Sequence, residues 1–457
     1  MDALSGALRL ILIVTLASAA LVASGCASRN PEYQLAASDP ELLHTSVNLL
    51  TDVIIYDIFS PPQASRIYAY AAIAAYEALA STDSTYQTLA GQLNELDAVP
   101  SPEPGKTYVY PLAAVHALLT VGRALTFSEE QMDASIEKMH ARYRETGMPH
   151  AVFERSVAYG ERVASHILDW ASTDFYRESR SAPKYTVTDD PGRWRPTPPA
   201  YMDGVEPNWG RIRPFALDSS AQYAPSPPPP FDMAERSAFY QEVLKVYEAG
   251  SSLTPEQVEI ASFWDCNPYV LHLKGHTMFA TKKITPGGHW VGVTAIAGRQ
   301  SGADVLQSAE AYARVAIAMA DGFISSWEEK YRSQMVRPET VINRHIDPDW
   351  RPLLQTPPFP EHTSAHSVIS NAAATVLTDL FGEQFAFTDT TEVRFGLPAR
   401  SFGSFREASE EAAISRLYGG IHYLSAIQAG IEQGNAIGHH HLRRVSTCRV
   451  ESLASRG

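Results

Sequence analysis

Trp327-Glu328-Glu329-Lys330-Tyr331-Arg332-Ser333-Gln334-Met335-Val336-Arg337-Pro338 closes an alanine-rich stretch that takes on helical spacing near Ala303. Lys330 and Arg337 are seven residues apart, so on one helix they share a face two turns apart, with Trp327 one turn before Lys330. Two cations on one face repel unless an anion lies between them. Pro338 is expected to end this helix. Taken alone, the spacing reads as two solvated surface cations.

Two further stretches lie downstream. Pro357-Pro358-Phe359-Pro360-Glu361-His362-Thr363-Ser364-Ala365-His366-Ser367 is a proline-ruled turn that leads into the helical run Val368 to Leu380. A turn that delivers small residues to a helix start exposes backbone N–H groups and the positive end of the helix dipole, which suits an oxyanion. Ser364 adds a hydroxyl, and His366 in the first turn can act as acid or base. Ser415-Arg416-Leu417-Tyr418-Gly419-Gly420-Ile421-His422 lies in a helix-like stretch that continues through Ala426 and Gly430 to Gly434. On an ideal helix Arg416 and His422 stand roughly 120° apart, so they meet only through the reach of the arginine, and Ser415 is better aligned with His422.

Lys330-x6-Arg337-Pro338, then Ser364-Ala365-His366, then Ser415-Arg416-x5-His422, in that order, resembles the three-part signature of the family that joins vanadium-dependent haloperoxidases with type 2 phosphatidic acid phosphatases (PAP2). The resemblance runs over about residues 253–442. It implies an all-α fold, a large helical bundle body with a C-terminal PAP2/haloperoxidase-type helical core. It also implies that Lys330, Arg337, Arg416, Ser364 and the N–H of Ala365 hold the oxygens of vanadate or phosphate. His366 is the implied acid/base, and His422 is the axial ligand of vanadium or the nucleophile toward phosphorus. Three departures stand out: Ala365 where the family has glycine, Thr363 where it has proline, and Ala426 where many members carry an aspartate that orients the histidine.

Trp327 and Phe359 match places where haloperoxidases carry aromatic residues, and His362 joins them as a halide-pocket candidate. With these, the resemblance favours a vanadate-dependent haloperoxidase that takes hydrogen peroxide and halide, with vanadate as cofactor and no other metal. A periplasmic acid phosphatase acting on a phosphomonoester through phosphohistidine is the alternative, and a non-catalytic helical lipoprotein is a third reading. Asp265, in Phe263-Trp264-Asp265-Cys266-Asn267-Pro268, is a candidate partner for a site arginine. His289, in Gly287-Gly288-His289-Trp290, reads as a structural residue in a loop.

The 457 residues carry a formal net charge of -14, with basic residues scattered, which excludes nucleic acid as a natural partner. Residues 1–25 read as a signal peptide: Arg9, the apolar run Leu10 to Val22, then Ala23-Ser24-Gly25 before Cys26. The ending resembles a bacterial lipobox, so lipidation at Cys26 and a periplasmic or outer-membrane lipoprotein are expected, with the lipid as the only membrane contact. Residues 26–40 form a tether, 41–189 an N-terminal helical region, 190–231 a proline-rich ordered crossing, 232–445 the catalytic domain and 446–457 a tail. Asp232 reads as the cap of a helix running to about Ala249, and Leu253-Thr254-Pro255-Glu256 opens another. Cys266 and Cys448 are either one disulfide or two thiols. His116, His140 and His150 read as isolated, and His439-His440-His441 point around a helix in different directions.

Overall fold

Helix starts follow the capping chemistry of the sequence. The computed structural model describes residues 32–274 and 276–449; residues 1–25, expected to be a signal peptide, Cys26 and most of the 446–457 tail lie outside the described residues. Asp39 accepts the N–H of Glu41 and opens α1 (Pro40–Tyr56), and a Ser60/Gln63 capping box opens α2 (Pro61–Ala80). The N-terminal part continues with α3 (Tyr110–Leu125), α4 (Glu129–Glu145) and α5 (His150–Ala171). After the crossing come α6 (Ala238–Ser251), α7 (Pro255–Phe263), the hairpin β1 (Val270–Lys274) and β2 (Thr277–Thr281), α8 (Pro286–Ser301) and α9 (Val305–Ser333). The chain ends with α10 (Pro338–His345), α11 (Ala365–Phe381), the short antiparallel pair β3 (Phe387–Asp389) and β4 (Arg400–Phe402), α12 (Phe405–Tyr418) and α13 (Leu424–Arg444).

The fold is all-α, with two short hairpins among the described residues. α9 is its axis. It packs on α2 along one side and on α11 along the other, and nearly every residue from Leu306 to Lys330 is buried. Alanine at so many of these positions lets the helix axes approach closely. One continuous apolar core therefore runs from α1 to α13, so the 190–231 boundary is one of composition and the core crosses it.

The crossing contains no α-helix, and side chains and backbone bonds fix it. Trp194 and Trp209 are fully buried. Asp321 of α9 accepts the N–H groups of Phe215, Ala216 and Leu217, and the Val205 N–H donates to Pro358 O at 2.9 Å. The crossing thus braces the proline-ruled turn before α11.

Three local expectations change. Asp232 caps a turn at Ala234, and α6 starts after Ser237, whose hydroxyl accepts the Tyr240 N–H. α9 stops at Ser333 because Gln334 adopts a left-handed conformation (φ 52°), so Lys330 and Arg337 do not share a helix. Pro338 opens α10 at its first position, where its missing N–H costs nothing.

Candidate active site

Three chain turns build the site. The first follows Gln334, where the backbone bends and Val336 donates to Gly192 O of the crossing, leaving Arg337 extended just before α10. The second ends at Ser364, the N-cap of α11. The third is the break between α12 and α13: Gly420 takes φ 75°, a conformation that favours glycine, and the break sets His422 outside both helices. Arg416 and His422 therefore meet across a turn, where a continuous helix would have kept them apart. Ser415 does not face His422; its Oγ accepts from Arg416 Nε at 2.9 Å.

Arg337 is fully buried. Its Nε donates to Phe359 O (2.9 Å), and Nη1 donates to Ile421 O (2.9 Å) and to His422 Nε2 (3.2 Å), while Nη2 has no partner. The Arg416 Nη2 donates to Trp264 O at 2.6 Å. Lys330 Nζ donates to the carbonyls of Pro360 (3.1 Å), Glu361 (3.0 Å) and Thr363 (2.5 Å), which occupies all three of its N–H groups. Lys330 thus ties the second turn to α9 and supplies charge to the site. Burial lowers the pKa of all three cations; Arg337 falls to about 10, and for Lys330 the neighbouring Arg337 adds to the effect.

Glu361, which belongs to none of the three motifs, is the carboxylate of this cluster. Its Oε1 accepts from His422 Nδ1 at 2.7 Å and from the Tyr423 N–H at 3.0 Å, and it is fully buried. Burial raises its carboxyl to about 7, against the pull of Arg337 and Lys330. With Nδ1 donating to Glu361, the lone pair of His422 is on Nε2, the atom Arg337 faces. Glu361 so takes the orienting role that Ala426 cannot; Ala426 contributes its carbonyl, which accepts the Ser364 N–H at 3.1 Å. The one hint in the sequence was an acid within a Pro-Pro-Phe-Pro turn, where neither capping nor solvation explains it.

Ser364 Oγ accepts from Ser367 N and Ser367 Oγ, which leaves its own hydroxyl proton to donate. Ala365 is the first residue of α11 and so has right-handed backbone, in which a Cβ is tolerated in place of glycine's hydrogen. His366 is buried with Nε2 unpartnered, and burial, reinforced by Arg416 and His289, holds its pKa well below the usual imidazole value.

Ala365, His366, Arg416 and His422 form the polar end of a cavity of about 450 Å³. Trp327 and Phe359 wall it, with ring centroids 4.8 Å apart, and the crossing adds Met202 and Val205. Lys330 Nζ lies 5.1 Å and Arg337 Cζ 5.0 Å from the Phe359 centroid, so that ring faces both cations. His362 does not line the cavity; it is buried elsewhere, and burial holds it down to about 4. Asp265 reaches the cavity wall but pairs with Lys283 at 3.0 Å, and the neighbouring Trp264 carbonyl is what meets Arg416.

Buried donors without partners are rare in folded proteins. Arg337 Nη2, a donor with no acceptor set among three buried cations and one carboxylate, defines a site short of an anion. Ser364, the Ala365 N–H and a histidine with its lone pair on Nε2 fit an oxyanion whose central atom also takes a nitrogen ligand, as vanadate does.

Other candidates resolve differently. Cys266 and Cys448 do not form a disulfide with each other; Cys266 is buried beside His289, and Cys448 pairs with Tyr86 in a β-bridge. His289 lies in α8, not in a loop. His116 and His140 are in contact, with ring nitrogens 3.1 Å apart, because α3 and α4 pack together. His439 is exposed, His440 meets Tyr223 and Ala216 O, and His441 is buried.

The chain matches the family described as VCPO second helical-bundle domain over residues 310–450. No curated protein matches it. Among solved structures, the first bacterial vanadium-dependent iodoperoxidase is 50% identical, with a TM-score of 0.86 over 90% of this chain and 98% of its own. Holo- and apo-type bacterial vanadium-dependent chloroperoxidase structures, 18% and 16% identical, give TM-scores of 0.65 and 0.64 over 85% and 83% of this chain and 93% of each of theirs, and so share the fold. The chain belongs to the vanadium-dependent haloperoxidase family, and it is an enzyme of the peroxidase type.

Proposed function

We propose that this haloperoxidase oxidises iodide in preference to bromide and chloride, with vanadate held at the His422 end of the cavity. The observation that carries the vanadate assignment is the pairing of Glu361 with His422 Nδ1, which keeps the lone pair on Nε2 within an anion-deficient cluster. The iodide preference rests on the 50% identical relative, an iodoperoxidase, and on the apolar, aromatic wall of the cavity, which suits the least hydrated of the three halides.

His422 Nε2 would ligate the vanadium, and Arg337, Arg416, the Ser364 hydroxyl and the Ala365 N–H would hold the oxygens. Lys330 supports them by charge and by fixing the turn that carries Ser364. When bound, vanadate would supply Lewis-acid activation of hydrogen peroxide with no change in the metal's oxidation state. His366, neutral at pH 7, accepts a proton from incoming peroxide at Nε2 and returns it to the departing oxygen. Trp327 and Phe359 exclude water from the approach of the halide.

The test is steady-state oxidation of iodide, bromide and chloride by hydrogen peroxide after reconstitution with vanadate. The iodide kcat/KM is expected to exceed that for bromide by more than about tenfold. Equal rates would overturn the preference, and nitrophenyl phosphate hydrolysis without halide oxidation would overturn the peroxidase assignment. Export and lipidation at Cys26 belong to the same proposal: radiolabelled palmitate should enter the wild type and not Cys26→Ser.

A further inference from the structure

Behind one wall of the cavity lies a second polar cluster. Cys266, which lines the cavity, places Sγ 3.4 Å from His289 Nδ1 and 3.8 Å from Glu392 Oε1, and those nitrogen and oxygen atoms are 2.9 Å apart. The opposite ring nitrogen, His289 Nε2, donates to Asp389 Oδ2 at 2.7 Å. Each of the four residues is buried, and the second Glu392 oxygen, Oε2, has no partner. Among the described residues no other group of three or more cysteine, histidine and carboxylate side chains converges so closely.

We propose that Cys266, His289 and Glu392 form a structural site for a zinc ion, separate from the oxyanion site. Zinc bonds to sulfur at about 2.3 Å, and to imidazole nitrogen and carboxylate oxygen at about 2.0–2.2 Å, which gives tetrahedral edges of about 3.3–3.6 Å. The three observed separations each lie within about half an ångström of such an edge. A thiolate, an imidazole and a carboxylate are a donor set that selects zinc over magnesium or calcium. Asp389 does what a carboxylate does for a metal-bound histidine: it holds the distal N–H, fixes the ring and leaves Nδ1 free to ligate. Glu392 Oε2 or a solvent molecule completes the coordination.

Charge also balances. With a neutral thiol and an imidazolium between two carboxylates, the cluster carries one net negative charge. A divalent ion that displaces the Cys266 thiol proton and the His289 Nδ1 proton leaves the same net charge, so burial imposes no further electrostatic penalty. The ion would tie together three parts of the chain: the 264–266 segment, α8 and the turn after β3. Trp264 stacks on His289 at 4.6 Å, and its carbonyl receives Arg416, so the clamp would reach the oxyanion site through a single residue.

The experiment uses the full chain, purified without chelator and without vanadate. Elemental analysis should find stoichiometric zinc; dipicolinate should remove it and lower the melting temperature, and zinc alone should restore both. Cobalt(II) added to the chelated protein should give a thiolate-to-cobalt charge-transfer band that is absent from Cys266→Ser and retained in Cys448→Ser. Three results would overturn the proposal: wild type that holds no stoichiometric divalent metal even after incubation with zinc, cobalt binding without the thiolate band, or undiminished zinc in a folded Cys266→Ser, His289→Ala protein. In the first case the cluster is a self-contained ion-paired network around His289.

Discussion

Glu361 and Lys330 act on the site through other groups, and each makes a distinct prediction. Glu361 binds His422 Nδ1 and the Tyr423 N–H with a single oxygen, so Glu361→Gln keeps an acceptor there but loses the charge. Its affinity for vanadate, measured by equilibrium dialysis, is expected to fall about 10- to 100-fold, the usual effect of removing the partner of a metal-ligating histidine. An unchanged affinity would mean that something else orients His422. His422→Ala should remove halide oxidation altogether while leaving the far-ultraviolet circular dichroism intact. Lys330→Met differs, because it leaves the carbonyls of Pro360, Glu361 and Thr363 without their shared donor. Unsatisfied buried carbonyls cost about 1–3 kcal/mol each, so urea denaturation should show a loss of several kcal/mol alongside weaker vanadate binding. A variant that lost only affinity would contradict the bracing role.

At the scale of elements, the site depends on how closely α13 approaches α11. Gly430, Gly434 and Gly438 line that contact, and a Cβ on Gly434 would fall 2.2 Å from Val368 O, while one on Gly430 would fall 2.7 Å from Ser364 O. Gly434→Ala must push the helices apart, and a loss of about 1–3 kcal/mol in chemical denaturation is expected, together with weaker vanadate binding as the α11 N-terminus shifts. Stability equal to wild type would show that the pair tolerates wider spacing. The helices themselves were legible in the sequence, since alanine-rich periodicity and caps such as Thr254-Pro255 are local signals. Lys330, Arg337, His366, Arg416 and His422 were legible through the order of their three motifs. What periodicity could not reveal were the breaks: the left-handed Gln334 that takes Arg337 off α9, and the Gly419-Gly420 turn that frees His422. It could not reveal partners either. Glu361 reaches His422 across 61 residues and His289 reaches Glu392 across 103, and pairing at such separations leaves no local trace.

The whole molecule carries a net charge of -14, yet it buries histidines that the fold keeps neutral, and this sets its response to acid. His44 of α1 is the clearest case outside the site. It is 1% exposed, its Nδ1 lies 2.7 Å from the Tyr312 hydroxyl of α9, and burial, helped by Arg299, holds it down to about 4. In the unfolded chain the same ring takes up a proton near pH 6.5. Between these values the unfolded state binds more protons than the folded one, so stability must fall as the pH drops from about 6.5 to about 4, and the slope vanishes above that window. A shift of this size corresponds to about 3 kcal/mol from His44, and His362, also held down to about 4, adds in the same direction. Glu361, raised to about 7, contributes in the opposite direction over the same range, so the His44 contribution is read as the difference in melting temperature between wild type and a His44 variant without vanadate. His44→Asn, which can still hydrogen-bond to Tyr312, should start less stable at pH 7 and lose less on acidification, so that the two curves converge near pH 4. Parallel curves would mean that His44 takes up its proton at the same pH in the folded protein as in the unfolded chain, and the contact between α1 and α9 would then have to be described as one that accommodates a buried charge.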